Sequence, residues 1–250
     1  SKLQDNFIKP LFFLLAMIVK IPYTDGEHQA CAKAPDLIIE QLKTLMSNPK
    51  IPKIKECDIH NLEDAKIYLG GDHTITYYTV KKFAQKYSNP GFIVFDAHPD
   101  VFQQFDFPSH QDYLKFLIEE GILKPENVMV IGIRAIHPRE LSYYKEKGIR
   151  YIPFQNYMSL NISCDAIMEF LRQFEALYLS IDLDVLDPAF APGVSYIEPR
   201  GFTTRELFYY IQRFKKLHNL KALDIVEFNP DNDINNLTAK TAASIIAEFL

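Results

Sequence analysis

The chain of 250 residues carries 27 Lys and Arg against 32 Asp and Glu, a formal net charge of −5 at pH 7, with 48% hydrophobic and 24% charged residues. That balance belongs to a globular domain with a sizeable core and excludes a disordered or fibrous chain. The acidic charge offers no general attraction to phosphate backbones or anionic membranes and no local basic patch replaces it, which sets aside nucleic-acid and membrane roles.

Along the chain, short apolar runs alternate with amphipathic stretches. The first run, 12–21, falls far short of the ~20 apolar residues of a membrane helix. It leads into the turn-like PYTDG without a small-residue cleavage site, so it reads as a buried strand rather than a targeting segment. A helix follows over 35–46, with Pro35 in its first turn. The pattern then repeats: strand 66–69 and helix 74–87, strand 91–95 and helix 111–120, strand 127–133 and helix 138–147. It continues with strand 149–152 and helix 163–174, strand 176–181 and helix 204–217, and strand 221–226 and helix 238–249. The strand runs are apolar throughout rather than alternately, the mark of strands covered on both faces. With no repeat or flexible linker, residues 1–250 read as one three-layer α/β/α domain with a mainly parallel sheet. Cys31, Cys57 and Cys164 are widely spaced and form no CxxC, which argues against a disulfide framework or thiolate zinc site and makes a reducing cytoplasm the expected location. Glycine is scarce, 9 in all, so the Gly70-Gly71 pair is expected to meet a local backbone need.

In an open parallel sheet, chemistry collects beyond the carboxyl ends of the strands. There the sequence places Asp72 and His73 after 66–69, Asp96, His98 and Asp100 after 91–95, Asp182, Asp184 and Asp187 at the end of 176–181, and Glu227 after 221–226. One Asp after a strand is ordinarily a helix cap or turn residue. Repetition argues otherwise: Asp96, His98 and Asp100 stand at i, i+2 and i+4, and Asp182 and Asp184 at i and i+2, so in extended backbone each set projects to one side. Four aspartates gathered a few ångströms apart repel one another unless protonated or balanced by cations. Two divalent ions supply the balancing charge. Two imidazoles with carboxylates and no thiolate favour Mn²⁺, with Fe²⁺, Co²⁺ or Ni²⁺ as substitutes. Paired ions activate a water as nucleophile, so hydrolysis is the expected chemistry.

The segments GGDHT at 70–74, DAHPD at 96–100, SIDLDVLDPAFAPG at 180–193 and DIVEFNP at 224–230 resemble, in order, the signatures of the arginase/agmatinase (ureohydrolase) family. KIPYTDG at 20–26 and VMVIGIR at 128–134 extend the likeness over most of the chain. The resemblance implies that His73, Asp96, Asp100 and Asp184 hold one manganese ion and His98, Asp96, Asp100 and Asp182 the other. It implies attack on a guanidinium carbon by a water between the ions, releasing urea and an amine. Asp100 is then the acceptor of the water's proton and Glu227 the partner of the guanidinium nitrogens. His110 resembles the family's proton-shuttling histidine, although Gln111 follows it where the family has Gly; His137 is the alternative. His28, His60 and His218 carry no pattern and read as surface residues.

Phe102 stands where arginases carry an Asn that recognises the amino-acid end of arginine, and the spacing to His110 suits agmatine better. Arg200, where the family usually has Gly, is either a surface charge or a binder of a substrate carboxylate. The expected function is therefore an agmatinase-like hydrolase. The alternatives are a formimidoylglutamase or guanidino-acid hydrolase, a one-zinc deacetylase on a related fold, or a silent member acting as a regulatory or assembly subunit. The family likeness also implies a homo-oligomer, a trimer or hexamer.

Overall fold

A computed structural model describes residues 17–45, 51–102, 106–154 and 160–250. Most of the expected strand at 12–21 lies outside them; its described part is β1, Ile18–Ile21. In chain order there follow α1 (Ala34–Leu45), β2 (Ile54–Glu56), β3 (Ile67–Gly70), α2 (Thr74–Ala84), β4 (Pro90–Phe95), α3 (Tyr113–Glu119) and β5 (Val128–Ile131). The second half adds α4 (Pro138–Lys147), β6 (Arg150–Ile152), α5 (Leu160–Leu171), β7 (Ala176–Asp182), α6 (Thr204–Phe214), β8 (Leu220–Val226) and α7 (Leu237–Glu248).

The eight strands form one sheet in the order β2-β1-β3-β8-β7-β4-β5-β6, and every neighbouring pair is parallel. The sheet is thus wholly rather than mainly parallel. All residues of β4 and β7 are buried, as continuous apolar runs require when helices cover both faces. Leu177, Leu179 and Ile181 pack on one side with α1, α5, α6 and α7. Tyr178, Phe92 and Val94 pack on the other with α2, α3 and Tyr144 of α4. Each fully buried Leu, Ile or Phe contributes about 1.5–3 kcal/mol of transfer free energy. Among the described residues no helix is long and apolar enough to cross a membrane.

Boundaries follow local chemistry. Helix α4 begins and ends where expected because His137 and Glu140 form a reciprocal cap, Pro138 opens the first turn and Gly148 closes it at φ 73°. The expected helices ending at 87 and 217 stop at Ala84 and Phe214, since their last turns tighten into shorter-range bonds such as Tyr87 N to Ala84 O and Leu217 N to Phe214 O. The helix expected over 163–174 is displaced to Leu160–Leu171, because Phe174 N turns back to Leu171 O before entry into β7. The helix expected from 111 starts at Tyr113, because Asp112 binds back to the amide of Ser109. Edge strand β2 went unpredicted: three residues with two exposed give no apolar run.

Candidate metal centre

Strands β3, β8, β7 and β4 are consecutive in the middle of the sheet, so the residues at their carboxyl ends meet although they lie far apart in sequence. His73 caps α2 just past β3, Asp96 follows β4, Asp182 ends β7 and Glu227 follows β8. The convergence does not come from extended backbone, as the spacing suggested. Beyond Phe95 the chain leaves the sheet, and Asp100 sits in the left-handed region at φ 50°. Asp184 lies on a 3-10 turn, Leu183–Val185. Two short turns aim the acids instead: Asp96 accepts the amide of His98 at 2.6 Å, and Asp182 accepts that of Asp184 at 2.8 Å.

The result is two nests sharing one acid. His73 Nδ1 lies 3.2 Å from Asp96, 3.1 Å from Asp100 and 3.0 Å from Asp182. His98 Nδ1 lies 2.8 Å from Asp184 and 3.6 Å from Asp96. The pairing of acids with histidines differs from the expected division at two positions: Asp182 lies beside His73 and Asp184 beside His98, because the 3-10 turn carries Asp184 away from the strand axis and Asp184 also receives the amide of Ala97 at 3.0 Å.

These residues fit divalent cations on their own chemistry. Ser180 donates its hydroxyl proton to Asp224 at 2.6 Å, so it accepts from His73 Nε2 at 3.0 Å. The proton of a neutral His73 is then on Nε2, and the bare lone pair of Nδ1 faces three carboxylate oxygens. Lone pair against anions is repulsive unless a proton or a metal cation lies between: against the opposing effect of burial, the three acids hold His73 well above its ordinary pKa, and a divalent ion would take that proton's place. Asp96 Oδ2 is likewise buried without a hydrogen-bond donor. Burial and the charge of Asp96 lift the Asp100 carboxyl to about 8, the strain that a positive ion relieves.

Around this centre stands a cavity of about 170 Å³ lined by Asp100, Phe102, His110, Gln111, Tyr196 and Glu227 among others. Glu227, in the left-handed region at φ 64°, accepts the amide of His73 through Oε1 at 2.6 Å, while Oε2 is buried without a partner. Burial and Asp72 push its carboxyl up to about 8. Asp72 itself receives the amides of Thr74 and Asp25, tying the loop after β1 to the start of α2. His110 is 5% exposed and its Nδ1 meets Asp25 at 2.5 Å. Burial by itself would lower its pKa, but the bond to Asp25 and the charges of Glu227, Asp25 and Asp72 outweigh that and raise it to about 9.

Asp25, Tyr196, Ser180, Asp224 and Arg134 were not singled out from sequence. Ser180 had a legible sign, two residues before Asp182 on a buried strand. Arg134 donates to the carbonyls of Asp184, Val185, Leu186 and Glu198, clamping the turn that carries Asp184. His28, expected at the surface, is half-buried with its ring against His110 and Tyr196; His60 and His218 are exposed. His137 is the cap of α4 and packs on Phe102. Asp187 serves as a turn acceptor for Ala189 and Arg200. Arg200 is not among the residues lining the cavity.

The model of the Arginase family matches residues 16–250. An arginase of Staphylococcus aureus strain COL is 31% identical over 219 residues, spanning 81% of this chain and 72% of the relative. The crystal structure of arginase from Bacillus subtilis matches with a TM-score of 0.81 at 25% identity, covering 94% of this chain and 98% of its own. The structure of formimidoylglutamase from Bacillus subtilis has a TM-score of 0.83 over all of this chain and 93% of its own, at 22% identity, a likeness of fold.

Proposed function

Because the chain belongs to the arginase family, we propose that it is a dinuclear manganese hydrolase that cleaves a C–N bond of a small guanidino compound, releasing urea and an amine. The observation that carries this reading is the shared position of Asp96 between His73 and His98, each with its own further acids. His73, Asp96, Asp100 and Asp182 would hold one ion, and His98, Asp96 and Asp184 the other. When bound, such a pair activates water for attack on a planar carbon.

The remaining work falls to the chain's own groups. Glu227 presents Oε2 to the cavity, and a guanidinium N–H satisfies that orphaned oxygen with a charge-assisted bond. The same contact fixes the plane of the substrate, exposing its carbon from one side. Asp100 accepts the proton lost by the attacking water. His110, held at Nδ1 by Asp25, has Nε2 left for the leaving nitrogen, and a pKa near 9 keeps it cationic and able to donate at neutral pH.

We assign agmatine, or a guanidino compound with a similarly cationic or neutral tail, as the substrate class. No Lys or Arg is among the described residues lining the cavity, while Glu27 and Glu198 lie at its mouth beside His110 and His98. That field attracts a cationic tail and disfavours a free carboxylate. The test is product release after Mn²⁺ loading across agmatine, arginine, guanidinobutyrate, guanidinopropionate and formiminoglutamate. Urea from agmatine above the rest is expected. Formamide in place of urea overturns the substrate class, and two bound ions with no product from any compound overturns the enzyme.

A further inference from the structure

At the cavity mouth, outside the Asp/His centre, two imidazoles and a carboxylate face one another. One donor atom from each of Glu27, His28 and His110 lies within 4.8 Å of the others. Nε2 of His110 and Nε2 of His28 are both buried without a hydrogen-bond partner, and His110 Nε2 stands 3.6 Å from Glu27 Oε2. Sealed imidazole nitrogens with nothing to bind are costly and call for a partner.

We propose that Glu27, His28 and His110 form a third, regulatory cation site, selective for a borderline transition-metal ion such as Zn²⁺. The donor set of two imidazoles and one carboxylate leaves a fourth position for water and lacks the oxygen-rich shell that Ca²⁺ or Mg²⁺ requires. Its surroundings are those of a built ligand sphere. Asp25 grips Nδ1 of His110, so the proton that an incoming ion displaces is the one on Nε2, and the deprotonated ring is then a stronger ligand, as outer carboxylates make metal-bound histidines. Tyr196 donates its hydroxyl to Glu27 Oε1 at 2.9 Å, leaving Oε2 turned to His110. The Tyr196 ring stacks on His110 at 5.9 Å and meets the edge of His28 at 5.0 Å, so one aromatic side chain braces all three ligands. Glu27 is half-exposed and free to close the remaining distance.

An ion here occupies His110 Nε2, the atom given above to the leaving nitrogen, and partly covers the cavity that His110 and Tyr196 line. Zn²⁺ at this site therefore stops turnover without touching the manganese pair; that consequence rests on the assignment of His110 under the proposed function, whereas binding itself does not.

The experiment titrates the manganese-loaded protein with Zn²⁺ alone, following heat of binding, manganese content and anomalous diffraction at the zinc edge. One zinc beyond two retained manganese ions is expected, at roughly 2.0–2.2 Å from its donors on the three residues. His28→Ala and, at an exposed carboxylate that the core does not need, Glu27→Gln should each lose that third ion while retaining two manganese ions. Zinc found only in place of manganese, or a third ion that survives both substitutions, overturns the site. Zinc bound as described with urea release unchanged upholds the site and overturns the role of His110.

Discussion

Asp25 holds Nδ1 of His110 at 2.5 Å although 85 positions separate them in sequence, and this pairing sets the proton state of the cavity mouth. His110 is also faced by the charges of Glu27, Glu227 and Asp72 and by the rings of His28 and Tyr196.

The first prediction follows from the sign of the shift. The folded pKa of His110 stands at about 9, above its ordinary 6.5, while that of Asp25 is depressed below its ordinary 3.8. The pair's stabilisation is therefore complete from about pH 4 to 6.5, fades as pH rises through 9 and fades again in acid. Asp25→Asn should lose up to about 3 kcal/mol at pH 6 and little at pH 10, read by urea unfolding at both. The alkaline limb of kcat should move from near 9 toward 6.5. An unmoved limb would separate Asp25 from the proton transfer.

The chain from Asp224 through Ser180 to His73 fixes which nitrogen of His73 faces the acids. Ser180→Ala removes the acceptor of Nε2–H and frees the ring to take the wrong tautomer. Manganese affinity is expected to drop by about 10- to 100-fold, measured as retained metal after dialysis against graded free Mn²⁺. Asp224 keeps bonds from Thr76 and Tyr178, so folding should survive at a cost of about 1–3 kcal/mol. Unchanged metal retention would refute the tautomer.

Chelation should leave the acids of the centre unbalanced. At free Mn²⁺ near 1,000 times its dissociation constant, binding stabilises by about 4 kcal/mol, which for a chain of this size corresponds to roughly 10 °C in Tm. Differential scanning fluorimetry with and without EDTA, followed by Mn²⁺ add-back, tests this. Equal melting curves would mean that no ion binds the folded state preferentially.

Arg200 adopts φ 64° on an exposed turn, with its amide donating to Asp187 at 2.8 Å. Glycine keeps that bond and relieves the left-handed strain, so Arg200→Gly should raise stability by about 0.5–1 kcal/mol and leave KM unchanged. A raised KM would instead place the guanidinium on the substrate.

The helices, seven of the eight described strands and the clustering of six acidic and imidazole residues at the strand ends were legible because each depends on chain-local signals: apolar runs, caps, and acids placed after strands. Gly71 was legible too, as a scarce residue with a backbone reason; a Cβ there would lie 2.0 Å from the carbonyl oxygen of Tyr23. Asp25, His28 and Tyr196 were not, because the loops after β1 and β7 meet His110 only once the sheet order brings them together. Asp182 and Asp184 stand beside the opposite histidines from those expected for a different reason: two-residue alternation holds in a strand, and the strand ends at Asp182.

The last of the described strands in chain order, β8, is inserted between β3 and β7 rather than added at an edge. A nascent chain halted before residue 220 lacks the central slat of its sheet, and with it Glu227 and the Asp224 that steers His73. Emerging polypeptide therefore has no finished Asp/His cluster until β8 has been made and has entered between its two neighbours.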